Sequence, residues 1–148
     1  MERSKMKSRF YLTSIFFFIA TLTLTACGGQ PASAQGYGTA EFLEELREKG
    51  AEAQSGESVE QPFFSVIGTT INLNGEGVQV FEYDSAETME SDAVLVDADG
   101  SSIGTSMVSW MATPHFYKKG RILVLYVGDN AETQGLLESI LGTQFAGR

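Results

Sequence analysis

Two stretches of this chain, 45 positions apart, carry the same signals in the same order, and that recurrence limits the fold more than any other feature. Shifting by 45 lays Gly75 on Gly120, Val78 on Leu123, Val80 on Leu125 and Phe81 on Tyr126. It also lays "DSAET", Asp84 to Thr88, on "DNAET", Asp129 to Thr133. In each stretch two β-prone runs flank a turn, at Asn74 to Gly77 and at Lys118 to Gly120, and a helical run follows, "SAETMESDAVLV" or "NAETQGLLESIL". The pattern reads as a degenerate internal duplication of a ββα unit. It predicts that the halves from Pro62 to Val96 and from Met107 to Leu141 are related by a rough twofold.

The local physics agrees with that outline. Asp84 and Asp129 stand where a helix wants an N-cap, with Glu87 and Glu132 three residues later as capping-box partners. The same Asp/Glu pairs also suit twin metal or acid/base sites, but D-x-x-E opening an apolar-periodic run is the ordinary helix start signal. Ahead of the repeats, "TAEFLEELREKGAEAQ" sets Phe42, Leu43 and Leu46 on one face, with acids in the first turn and Lys49 before Gly50. This predicts a helix from about Ala40 to Ala53, followed by a polar loop, "SGESVEQ". "RILVLYVG" is a near-continuous apolar run, the mark of a strand covered on both faces, whereas "VQVFEY" alternates and suits a strand with one face near solvent. The expected fold class is α+β: an antiparallel sheet built from two ββα repeats, with an additional N-terminal helix and the helices mainly on one face.

The N-terminus reads as an address. "MERSKMKSRF" carries four basic residues against Glu2 and precedes an apolar segment of about 15 residues, shorter than the roughly 20 a spanning helix wants. Small residues Thr25 and Ala26 come directly before Cys27, the single cysteine. Leu24-Thr25-Ala26-Cys27 resembles the lipobox of bacterial lipoproteins. That resemblance implies a signal peptide over 1–26, diacylglyceration of the Cys27 thiol, and cleavage that makes Cys27 the first mature residue. An incidental cysteine beside an ordinary secretory cleavage site is the competing reading. Two or more acyl chains hold stably where one holds marginally, so the expected location is a lipid-anchored, extracytoplasmic one at the cell membrane or outer membrane. Residues 27–39 then form the lipidated cysteine and a flexible tether; the Gly-rich, uncharged run "GGQPASAQGYGT" would reach about 20 Å on average. Residues 40–148 are left for a single α+β domain.

Charge narrows the partners. Without residues 1–26 the chain keeps 6 Lys/Arg against 18 Asp/Glu, 6 − 18 = −12, which makes nucleic acid a poor partner and repels anionic headgroups. With Cys27 lipidated, no disulfide forms within one chain.

Three stretches invite a site. "GSSIG", Gly100 to Gly104, matches the G-x-S-x-G nucleophile elbow, with Ser102 as nucleophile and the only histidine, His115, as base. The elbow needs a strand before it and a helix after it. Here a polar turn precedes the motif and β-prone "TSMVSW" follows. "DADGS" offers Asp97, Asp99 and Ser101 like the start of a calcium loop, but Gly100 falls at position four and Val108 at position twelve, so a turn explains it better than weak calcium binding. "SWMATPHFYKKG" gathers Trp110, His115, Phe116 and Tyr117 beside Lys118, Lys119 and Arg121, half of the remaining positive charge. Aromatics with nearby cations form either hairpin core or a recognition surface for an anionic partner. A lone histidine builds no metal centre, and no cofactor motif occurs.

"DGSSIGTSMVSW" through "HFYKKGRILVLYVGD" to "GTQFAGR" is similar to uncharacterised bacterial lipoproteins, a resemblance that implies no activity and no site residues. The leading expectation is a noncatalytic envelope lipoprotein binding a protein or small ligand through Trp110 to Arg121. A small envelope serine hydrolase using Ser102 and His115 is the alternative.

Overall fold

A six-stranded sheet, order β1-β2-β3-β7-β6-β8, separates two apolar layers, and every neighbouring pair in it is antiparallel. This computed structural model describes residues 36–147; the expected signal peptide, Cys27 and the expected tether as far as residue 35 lie outside the described residues. The chain runs α1 (Thr39–Glu48), β1 (Ala53–Val59), β2 (Gly68–Leu73), β3 (Glu76–Glu82) and α2 (Ala86–Ala93). A two-residue-strand hairpin follows, β4 (Ser102–Ile103) with β5 (Ser106–Met107), then β6 (Pro114–Lys119), β7 (Ile122–Val127), α3 (Ala131–Leu141) and β8 (Ala146–Gly147).

β7 explains why the sheet has two cores. Its period of two sends Ile122, Val124 and Tyr126 to one face and Leu123 and Leu125 to the other, and all five are buried. On the first face α1 packs Phe42 and Leu46, and α3 packs Leu137, Ile140 and Leu141. On the second, α2 contributes Met89 and Ala93, joined by Phe64, Phe81 and Phe116. Of the three described helices, α1 and α3 therefore share a face, and α2 lies opposite. Both long hairpins close through two-residue turns that use positive φ: Asn74 and Gly75 at 51° and 91° in the first, Gly120 at 57° in the second.

The structure revises several sequence expectations. "SGESVEQ" is not a loop: most of it belongs to β1, an edge strand whose middle five residues are exposed. Pairing on one side with β2 asks only for backbone, so polar side chains suit it, and the bulge between Ser55 and Ser58 twists the free edge. α1 ends at Glu48, not Ala53, because Gly50 turns the chain at φ 83°. The caps stand one residue later than Asp84 and Asp129: Ser85 Oγ accepts from Thr88 N–H, and Asn130 Oδ1 accepts from Glu132 and Thr133 N–H. The folded chain also begins before residue 40. The Tyr37 carbonyl accepts from Arg121 N–H at 3.0 Å, and Gly38 N–H donates to Glu41 at 2.9 Å.

The offset needs the same care. Leu73 faces Glu76 across the first turn and Lys119 faces Ile122 across the second, a shift of 46. The helix caps Ser85 and Asn130 remain 45 apart. A slip of one residue exchanges the two faces of a strand. Laying Val78 on Leu123 therefore matches residues from opposite cores, whereas Val78 on Val124 matches residues from the same one. From turn to helix the second unit is one residue shorter, β7 having six residues to the seven of β3, and α3 lies on the face opposite α2.

Candidate functional site

At one end of the sheet, the long connection between α2 and β6 folds back over the start of β6. Its first part is a tight turn: Gly100 N–H donates to the Asp97 carbonyl at 2.8 Å, and Asp97 N–H to the Ser102 carbonyl at 2.9 Å. Asp97 also accepts from Ser102 Oγ, and Asp99 accepts from Ser101 N–H at 2.9 Å. The carboxylates expected to begin a calcium loop are thus engaged by the turn's own serines.

Trp110 anchors the second part. Its indole N–H donates to the Gly100 carbonyl at 2.6 Å, and its ring meets Phe116 and Phe63 edge-on at 5.9 and 6.2 Å. Between this connection and the junction of β7 with α3 lies an open groove of about 400 Å³. Val108, Trp110, Ala112 and Pro114 supply its apolar lining. Its polar lining comes from Ser101, Thr113 and two exposed carboxylates, Asp99 and Asp129, the latter accepting from Thr113 Oγ1. Among the described residues, no Lys, Arg or His lines the groove. Met107 and Met111, sequence neighbours of the lining residues, are 92% and 102% exposed.

The cationic surface expected at Trp110 to Arg121 does not form, and strand geometry is the reason. His115, Phe116 and Tyr117 are buried in β6. Lys118 and Lys119 are consecutive strand residues and so leave from opposite faces. Lys118 reaches Glu90 of α2 at 2.6 Å and lies over the Phe145 ring, whereas Lys119 reaches Glu45 of α1 at 3.1 Å, the Ile140 carbonyl and the Tyr37 ring. Arg121, in the turn, pairs with Glu82 and donates to the Tyr83 carbonyl. Each cation is matched by a carboxylate within the fold.

Ser102 and His115 are not brought together as a nucleophile and its base. Ser102 lies in β4 and donates to Asp97, so no strand-to-helix elbow exposes it. His115 Nε2 donates to the Gly128 carbonyl at 3.1 Å, its Nδ1 is bonded to the Gln144 side chain at 2.6 Å, and its ring stacks on Tyr126. Neither ring nitrogen is left for a serine.

The remaining polar networks fasten elements to one another. Asp92 accepts from Ser65 N–H, Ser65 Oγ and Tyr83 O–H, tying α2 to the loop before β2. Tyr126 O–H donates to Glu76 at 2.6 Å, and Asn130 Nδ2 donates to the same carboxylate at 3.0 Å. The Tyr126 hydroxyl, followed by the Asn130 amide, holds the Glu76 carboxyl below its ordinary pKa.

No protein-family model, curated protein or solved structure matches this chain. Four of the groove's eight lining residues, Trp110, Ala112, Thr113 and Pro114, lie in the Trp110 to Arg121 stretch expected to bind; Asp99, Ser101, Val108 and Asp129 lie outside it. The available signal in "SMVSWMATP" is composition, two methionines and a tryptophan in a short stretch between Gly104 and Pro114.

Proposed function

We propose that this chain is a bacterial cell-envelope lipoprotein, anchored through acylated Cys27 on the extracytoplasmic side, whose domain binds a protein or small ligand and catalyses no reaction. The lipobox-like Leu24-Thr25-Ala26-Cys27 supports the address, as does the basic-then-apolar segment before it. The groove beside Trp110 carries the binding reading: it joins apolar lining, hydrogen-bonding groups and fixed charge, the combination that ligand sites use. The separate engagements of Ser102 and His115 favour binding over hydrolysis.

The address is tested by Cys27→Ala with metabolic labelling by a palmitate analogue. The variant should lose all label and accumulate as an unprocessed precursor; labelling and maturation like wild type would remove the anchor from the proposal. Turnover of an activated ester that disappears in Ser102→Ala, with the melting temperature unchanged, would restore the hydrolase alternative.

The two hairpins are further proposed to descend from one duplicated ββα unit, now divergent in the placement of its helices. The common two-residue turns and matching hairpin registers favour this origin. Hairpins that fail to superpose in an experimental structure would remove that support.

A further inference from the structure

The groove beside Trp110 offers a ligand two chemistries side by side. Trp110 has one polar atom, the indole Nε1, and its N–H is already given to the Gly100 carbonyl, so the residue presents only apolar ring to the groove. Edge-on contacts with Phe63 and Phe116 hold that ring in place, and Val108, Ala112 and Pro114 extend the apolar lining. The polar lining is made of hydrogen-bonding oxygens. Asp129 Oδ1 accepts from Thr113 Oγ1, which leaves Oδ2 for a donor, and the Ser101 hydroxyl can give or take a bond. Asp99, the other carboxylate of the lining, is engaged within its own turn.

We infer that the groove binds an uncharged glycan, one or two sugar rings of a longer chain, with a ring's C–H face against Trp110 and its hydroxyls bonded to Ser101, Thr113 and Asp129. This rests on the binding reading above and names the ligand class. A sugar ring carries C–H groups on its faces and hydroxyls around its edge, which is the complement of an apolar ring bordered by oxygens. Other classes fit less well. A wholly apolar ligand would cover Asp129 and the hydroxyls without bonding them, at a desolvation cost. An anion meets carboxylates and no cation on the described lining. A cation meets one available carboxylate, already bonded to Thr113, which calls for a hydrogen-bond donor more than for a full charge. An open groove of about 400 Å³ takes a short stretch of a chain that continues into solvent. Placement agrees: Tyr37 is bonded to Arg121 in the β6–β7 turn, whereas Pro114 begins β6 and Asp129 follows β7. Six residues of β6 separate these ends, about 17 Å of strand at the usual rise per residue, so in an anchored domain the groove opens away from the lipid.

The test uses the full-length chain in a polyoxyethylene detergent, whose headgroup carries no sugar, and β-1,4-linked tetramers of glucose, N-acetylglucosamine, glucosamine and galacturonate. Trp110 is the single tryptophan, so its fluorescence reports on this groove. At least one of the two uncharged tetramers should shift the emission and saturate, binding more tightly than the cationic and anionic tetramers and with little dependence on salt. Asp129→Asn should weaken that binding about tenfold, because a charged acceptor is lost. Ser101→Ala should weaken it severalfold and decides the matter should the Asp129 variant misfold. Glu44→Gln with Glu48→Gln, on the exposed side of α1, should leave it unchanged. No response to either uncharged tetramer would overturn the inference, as would tighter binding of the glucosamine tetramer or equal losses from the Asp129 and α1 variants. Those results leave the binding reading standing, since a protein partner still satisfies it. Shortening of a bound tetramer would do the reverse, overturning the noncatalytic reading while glycan recognition stands.

Discussion

Asn130 and Asp129 show how much one position matters at the scale of single residues. Asn130 caps α3 and also donates to Glu76, whereas Asp129 accepts from Thr113 across the groove. Asn130→Ala should therefore cost about 1 kcal/mol or somewhat more in urea unfolding. Asp129→Ala should cost less, and the reverse order would return the cap to Asp129. In sequence the two are indistinguishable, since Asp and Asn are equally good caps and adjacent. The same limit hid the groove. Residue types and spacing gather Trp110 to Arg121 as one segment, but whether a side chain faces core or solvent depends on strand phase. Phase put Phe116 and Tyr117 inside and split Lys118 from Lys119. Asp99 and Asp129 come from distant turns, and no local signal connects them.

Among the elements, the β6–β7 turn has little freedom. Gly120 sits at φ 57°, and a Cβ there would press on the Tyr37 side chain and carbonyl. Gly50 has a similar positive φ of 83° but open space around it. Gly50→Ala should thus cost only the backbone strain, about 1–2 kcal/mol, and Gly120→Ala distinctly more, with partial release of Tyr37. Equal urea midpoints for the two variants would mean that Tyr37 yields without cost. Elements with strong periodicity were legible: the apolar run of β7, the amphipathic stripe of α1 and the Asn-Gly turn all announce themselves. β1 was not, because an edge strand with one neighbour needs no apolar alternation. The opposite placement of α2 and α3 was illegible too, since it goes with a one-residue difference between the spacing of the hairpin turns, 46, and that of the caps, 45, which only the strand pairing reveals.

For the molecule as a whole, four tyrosines tie the layers together: Tyr37, Tyr83, Tyr117 and Tyr126. Burial first raises the pKa of each, and a neighbouring carboxylate adds to it: Glu45 for Tyr37, Asp92 for Tyr83, Glu138 for Tyr117 and Glu76 for Tyr126. A folded-state value above the unfolded one means a contribution complete below pH about 10 and lost as pH rises through the folded-state values. Phenolate absorbance should accordingly appear at higher pH in the native protein than in urea, and should rise together with loss of circular dichroism. Coincident titrations in water and urea would contradict that burial. The centre of the sheet carries a different consequence, one of time. β3 and β7 pair Val80 with Val124, partners far apart along the chain, whereas each hairpin closes over two residues. Hairpins of that kind form in about 1–10 μs, and the seam must wait for a long loop to close. Folding speed is then set at the seam: Val80→Ala or Val124→Ala should slow refolding, while Leu137→Ala on α3 should chiefly hasten unfolding. Until that seam closes, β3 and β7 each present a bare edge, so the interval before it closes is when this chain is most open to pairing with another copy of itself.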